Sequence, residues 1–206
     1  MTTLKEFQEI NQLTGLLASG LAETPQEDMP KDVAEALLAA KKQMEDLPQV
    51  LEDLNLAFSR YMTLNHTIRR MGLLARESAA MDQGPEEDQF RLEMEEEFVA
   101  LAKIVAAEAG QRYFQGTGLS ILNSQSAQAA VRVLSYLEPV LKNFDHEIRG
   151  QKSLILEAIS ETINFMGIVA RSYPQAKGVE AIKQTLGRVK LPENTDEPVL
   201  MRPTFH

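Results

Sequence analysis

The chain has 206 residues, of which 44% are hydrophobic, and a formal net charge of −9. That length accommodates one or two domains, and the apolar share is enough for a buried core. The charge argues against nucleic acids and anionic membrane surfaces, which call for clustered Lys and Arg. The absence of Cys removes disulfides, thiolate metal sites and cysteine nucleophiles.

Aromatic residues make up 6% of the chain, there is no Trp, and there are nine Met; such a core is mostly aliphatic and suits helix-on-helix packing. The first 30 residues lack a basic stretch followed by an apolar one, so any export is expected to proceed without a cleaved signal. No apolar run approaches the ~20 residues of a membrane span, and no membrane insertion is expected.

The first helix is predicted over Thr3–Ala22, with Phe7, Ile10, Leu13, Leu16 and Leu17 on one face and Gly20 ending it. Thr24, Pro25 and Glu27 have the spacing of a capping box with proline at the first helical position. Met29-Pro30 resets the backbone, and helix resumes near Asp32 and runs to about Glu45. Pro48 interrupts, as a kink or as a new start, because it cannot donate its backbone N–H. Gln49–Met81 is helical again, with Leu54, Phe58, Tyr61, Ile68 and Ala75 on one stripe and Asn65 and Gly72 at stripe positions that would ordinarily be apolar.

Gln83-Gly84-Pro85 is the clearest break. Glu86, Glu87 and Asp88 then open a helix to about Arg112, their charge matching its dipole, with Phe90, Met94, Phe98, Leu101 and Val105 inward. A connection this short makes the flanking helices antiparallel neighbours. Phe114–Ser124, with Gly116, Gly118 and Asn123, is a small hairpin or an irregular turn.

A long helix follows from about Ser126 to Met166, capped by Ser124 or Ser126. Leu134, Leu137, Leu141, Phe144, Ile148 and Ile155 alternate at spacings of three and four, and Gln151 fills the polar slot; this is a heptad seam. About 40 helical residues would run about 60 Å, a length suited to packing or assembly. Pro139 is expected to kink this helix without stopping it, and Pro174 to end it. A short helix is predicted over Gly178–Arg188, and Leu191–His206, with Pro192, Pro198 and Pro203, as an extended or disordered tail. The expected fold is an all-α, elongated antiparallel bundle, one domain over residues 1–190.

No catalytic, cofactor or metal site is specified, and no enzyme is expected. His66, His146 and His206 have no second His at helical spacing. Thr63 and Asn143 precede the first two where a di-iron bundle needs Glu. Glu93, Glu95, Glu96 and Glu97 suit a solvated face better than a catalytic pair. Gly116-Thr117-Gly118 lacks the third glycine of a dinucleotide loop, and Gly150–Ser153 lies inside the seam helix.

Several segments, in order, resemble the flagellin family. Leu17-Ala18-Ser19-Gly20-Leu21 resembles a flagellin amino-terminal motif, and Arg70-Met71-Gly72-Leu73-Leu74-Ala75 its Arg-aliphatic-Arg-Glu-Leu-Ala segment. A turn at Gly84-Pro85, an acidic amphipathic helix and Phe114-Gln115-Gly116, in place of Phe-Asn-Gly, come next. Ser126-Ala127-Gln128-Ala129-Ala130 resembles the start of the family's carboxy-terminal helix. Together these cover about residues 15 to 170, and the hook–filament junction protein fits the same pattern.

The resemblance implies an inner-rod helical bundle, a structural or interaction protein of the bacterial flagellum, signal-independent export, and flagellar subunits or an export chaperone as partners, with self-association also open. The tube-forming terminal helices of flagellins are not matched here, which points to a relative that does not form filaments alone. Arg70 and Leu74 match positions by which innate-immune receptors recognise some flagellins. Gly72 and Leu73 replace the charged pair between them, which assigns Arg70 and Leu74 to helix surface and core; Phe114 and Gly116 are the other candidate interaction residues. The competing expectation is an unrelated cytoplasmic helical-bundle adaptor or chaperone, motivated by the acidic face and the seam. A helical enzyme using Asn65 and His66 is the third.

Overall fold

The computed structural model describes residues 4–22, 29–109 and 119–190. They form six helices: α1 Leu4–Ala22, α2 Lys31–Ala80, α3 Pro85–Ala109, α4 Ser124–Ser135, α5 Leu137–Ser172 and α6 Val179–Arg188. Among the described residues there is no strand, so the fold is an all-α helical bundle. The segment expected as a hairpin or irregular turn is irregular over Leu119–Asn123. The rest of that loop, the capping box at Thr24–Glu27 and the tail beyond Lys190 lie outside the described residues. The chain gathers into two compact units, one from Met1–Asn55 and Arg149–His206, the other Leu56–Ile148.

In the first unit α1 buries Phe7, Ile10, Leu13 and Leu17, the face its periodicity predicts; Leu16 is half-buried. Each such side chain contributes roughly 1.5–3 kcal/mol when removed from water. Gly20 does not end α1, which continues to Ala22. α1 packs against α6, and a Cβ at position 20 would lie 2.7 Å from Thr185 Cβ. The glycine is there for close approach of two helices. Lys152 Nζ meets Glu6 Oε2 at 3.0 Å with both side chains largely covered, tying α5 to α1.

Pro48 lies within α2 without dividing it. Its ring is on the exposed side, while Met44, Leu47, Leu51 and Leu54 stay buried at spacings of three and four. The apolar stripe therefore passes the proline in phase, and its burial holds the helix together across the missing donor. In α5 the seam also runs on past Ile155, through Ile159, Ile163, Met166 and Val169, all buried.

One sequence expectation needs correcting. Within Ser124–Ser172 a segment of 18 residues is apolar enough, by length and composition alone, to cross a membrane. Exposed Glu157 and Glu161 interleave with its buried residues, the pattern of a helix covering a core.

In the second unit the far half of α2, α3, α4 and the start of α5 share a core that includes Leu64, Met71, Leu74, Phe98, Val105, Ala127 and Leu134. Arg70 pairs with Glu97, and Arg91 reaches Ser78, so α3 runs antiparallel to α2. Arg76 and Arg132 share a groove, and Tyr61 meets Phe144 edge-on at 6.2 Å, so α4 and α5 also run antiparallel to α2.

Asn123 caps α4: its side chain accepts from Ser126 N at 2.9 Å, and its own N–H donates to Ser126 Oγ at 3.3 Å. The cap is therefore Asn123, with Ser126 as its reciprocal partner and Ser124 as the first helical residue. At Pro139 the interruption is one residue wide. Tyr136 keeps a right-handed helical conformation, φ −72 and ψ −17. Pro139 can neither donate to the carbonyl of Ser135 nor avoid crowding it, so the break falls in the preceding turn.

Candidate functional site

The sequence-derived interaction residues separate in space. Leu74 is 1% exposed, a core residue of the second unit. Arg70, one residue before buried Met71 and four before buried Leu74, projects from the flank of α2 toward α3. Its Nε and Nη2 donate to the two Glu97 carboxylate oxygens at 2.7 and 2.8 Å. This two-pronged bond, with the attraction between the charges, holds the Glu97 carboxyl below the ordinary carboxylate range and raises Arg70 further. Phe114 and Gly116 lie outside the described residues.

Of the seam, Leu134 and Ile148 are buried and Leu137, Leu141 and Phe144 half-buried in the second unit; Ile155 is buried in the first. Gln151 is exposed. His66 and His146 are exposed, and among the described residues no three His, Asp or Glu are placed to hold a metal ion. Gly150–Ser153 is helical, and its lysine pairs with Glu6.

A polar junction at one end of the second unit escaped sequence reasoning. On α3 the buried stripe is Arg91, Met94, Phe98 and Val105, whereas Phe90, expected inward, is 52% exposed. Positions 91, 94, 98 and 105 keep the three-and-four rhythm, and Phe90 falls a helical step outside it. Arg91 tolerates burial because its Nη2 donates to the carbonyls of Ser78 at 3.3 Å and Met81 at 2.8 Å, at the end of α2, and approaches Ser124 Oγ at 3.4 Å. Its Nη1 meets Asp88 at 3.2 Å, while its Nε is buried without a partner. A cation at the carboxy-terminal end of a helix also complements the dipole.

Ser78 Oγ donates to the carbonyl of Ile121, and Ile121 N–H donates to Glu95 Oε2 at 2.6 Å. These bonds fix Ile121, fully buried, at the entrance to α4. The acidic run is therefore divided. Glu95 and Glu97 are engaged with the fold, while Glu93 and Glu96 face solvent.

Between α2 and α4–α5 a groove of about 290 Å³ is lined by Tyr61, Asn65, Arg69, Gly72, Arg76 and Lys142, among others. Asn65 and Gly72, the odd members of the α2 stripe, are thus groove positions. No protein family, curated protein or solved structure matches this chain.

Proposed function

We propose that this chain is a flagellin-like structural or interaction protein associated with the bacterial flagellum, exported by a signal-independent route, and not an enzyme. Its partners in this reading are flagellar subunits or an export chaperone. The observation that carries the reading is the ordered set of short motifs from Leu17 to Ala130. The antiparallel packing of α3 and α4 against α2 is the arrangement that the resemblance implies for an inner rod, and so supports it. Buried Leu74 and the Arg70–Glu97 pair fit packing roles for two of the four interaction candidates.

The test is capture of flagellar proteins by the tagged full chain from cells that carry a flagellum, with electron microscopy of the purified chain alone. Capture of flagellar subunits or an export chaperone is the expected result. Failure to retain any flagellar component sinks the proposal, and filaments of the chain alone would make it a filament subunit in its own right. A second reading, a helical-bundle adaptor of the cytoplasm, is favoured by the exposed Val133, Tyr136 and Val140 on one face of α4–α5, with Tyr136 76% exposed. Capture of non-flagellar partners through that face would select it.

A further inference from the structure

Within the second unit, α2 offers one flank to the acidic helix α3, where Arg70 is matched by Glu97. Its other flank borders the groove shared with α4–α5, and there the cations are not matched. Arg69, Arg76 and Lys142 line that groove, with Glu138 as its carboxylate, and it continues past Arg76 to Arg132. Arg76 donates to the carbonyl of Gly72 at 3.0 Å; Arg69, Arg132 and Lys142 make no ion pair among the described residues. In a chain of net charge −9, this is a local reversal of sign.

Exposed apolar side chains lie on α2 beside this groove, outside its lining. Met62, Arg69, Leu73 and Arg76 recur at spacings of seven, four and three, which places them on one stripe of α2. Met62 is 41% and Leu73 49% exposed. A groove between two antiparallel helices, lined in part by Ile68, Val131 and Leu141 and flanked by cations, matches a helix whose apolar face is bordered by carboxylates. α3 is the internal precedent, an acidic helix seated on the neighbouring flank of α2 through an arginine–glutamate pair.

We propose that the α2/α4–α5 groove docks an acidic amphipathic helix of a partner polypeptide, as an additional helix on the second unit. A second copy of this chain fits less well. The α3 carboxylates Glu95 and Glu97 are already engaged within their own unit, and chains of net charge −9 repel one another. The inference does not depend on the flagellar reading.

The experiment uses the full chain and a labelled synthetic amphipathic helix of Leu and Glu, about 20 residues long so that it can follow Tyr61–Ala80 at 1.5 Å per residue. Fluorescence anisotropy reads the affinity, and the same peptide with Lys for Glu is the control. The acidic peptide is expected to bind, more weakly as salt rises, and the Lys peptide not to bind. Reversing two groove cations in R69E/R76E should weaken binding about tenfold, while Lys103→Glu on α3 leaves it unchanged. Circular dichroism checks that the variants fold, and R69Q/R76Q is the milder substitute. Equal binding of both peptides, or wild-type affinity in the folded double variant, overturns the proposal. So does absence of peptide binding alongside self-association in sedimentation that R69E/R76E abolishes, an outcome that would assign the groove to a second copy.

Discussion

Replacing Arg91 by Met and by Ala separates two contributions that the structure superimposes at one buried side chain. The guanidinium makes one short bond, to the carbonyl of Met81 at 2.8 Å. Its contacts with Ser78 and Ser124 are near the outer limit, at 3.3 and 3.4 Å. Hydrogen bonds involving a charged group contribute about 1.5–3 kcal/mol when well formed. The Asp88 carboxylate is 68% exposed, so that ion pair contributes about 1 kcal/mol at most. Against this stand the desolvation of the charge and the orphaned Nε, and an unsatisfied buried group alone costs about 1–3 kcal/mol.

The head group therefore comes out near balance, while the apolar stem fills core space beside Met94. Arg91→Met, which keeps a stem of similar length, is expected to stay within about 1 kcal/mol of the parent. Arg91→Ala, which leaves a void, should lose about 3 kcal/mol. Urea unfolding followed by circular dichroism measures both, with hydrogen exchange at the last turn of α2 as a local probe. A loss in Arg91→Met as large as in Arg91→Ala would refute the reasoning, because the hydrogen bonds and not the stem would then dominate.

Gly20→Ala should destabilise the first unit even though alanine is the better helix former by about 1 kcal/mol; pairing it with Thr185→Ala should restore much of the thermal stability, and no loss in the single variant would disprove the close approach. Asn123→Ala removes the reciprocal cap of α4 and should cost about 1 kcal/mol, read by urea denaturation, while Asn123→Ser should cost less. The Glu97 carboxyl, depressed by Arg70, contributes stability that is present above the ordinary carboxylate range and is lost as pH falls through its own lower value. An NMR titration should show its midpoint rising in Arg70→Met, and an unchanged midpoint would mean the pair does not persist in solution.

Much of the helical architecture was legible because it is written in a regular period. The stripes through Phe7–Leu17, Leu54–Ala75 and Met94–Val105 mark faces that the structure buries, and Gly84-Pro85 marks the reversal between α2 and α3. What was not legible depends on partners distant in sequence. Nothing local says that Arg91 rather than Phe90 turns inward, because the carbonyls that accept from it end a different helix. Gly20 carries the local signature of a stop, and only the presence of Thr185 reveals a packing contact. Pro48 is a breaker by its own chemistry and is overruled by the buried residues on either side. The groove had a faint signal in Asn65 and Gly72, but its cations come from both α2 and α4–α5, and no single helix displays them together.

The contact at Gly20 has a consequence for how the molecule is made. Thr185 is synthesised long after Gly20, and the unit that holds both is assembled from the two ends of the chain. The unit Leu56–Ile148, by contrast, is one uninterrupted stretch. On a ribosome the inner stretch can gather its core while the sequence that completes the other unit is still unmade. Contacts between distant parts of a chain also form more slowly than local ones. Until α6 emerges, the buried face of α1 lacks one of the helices that cover it, and its apolar side chains stay open to water for that interval.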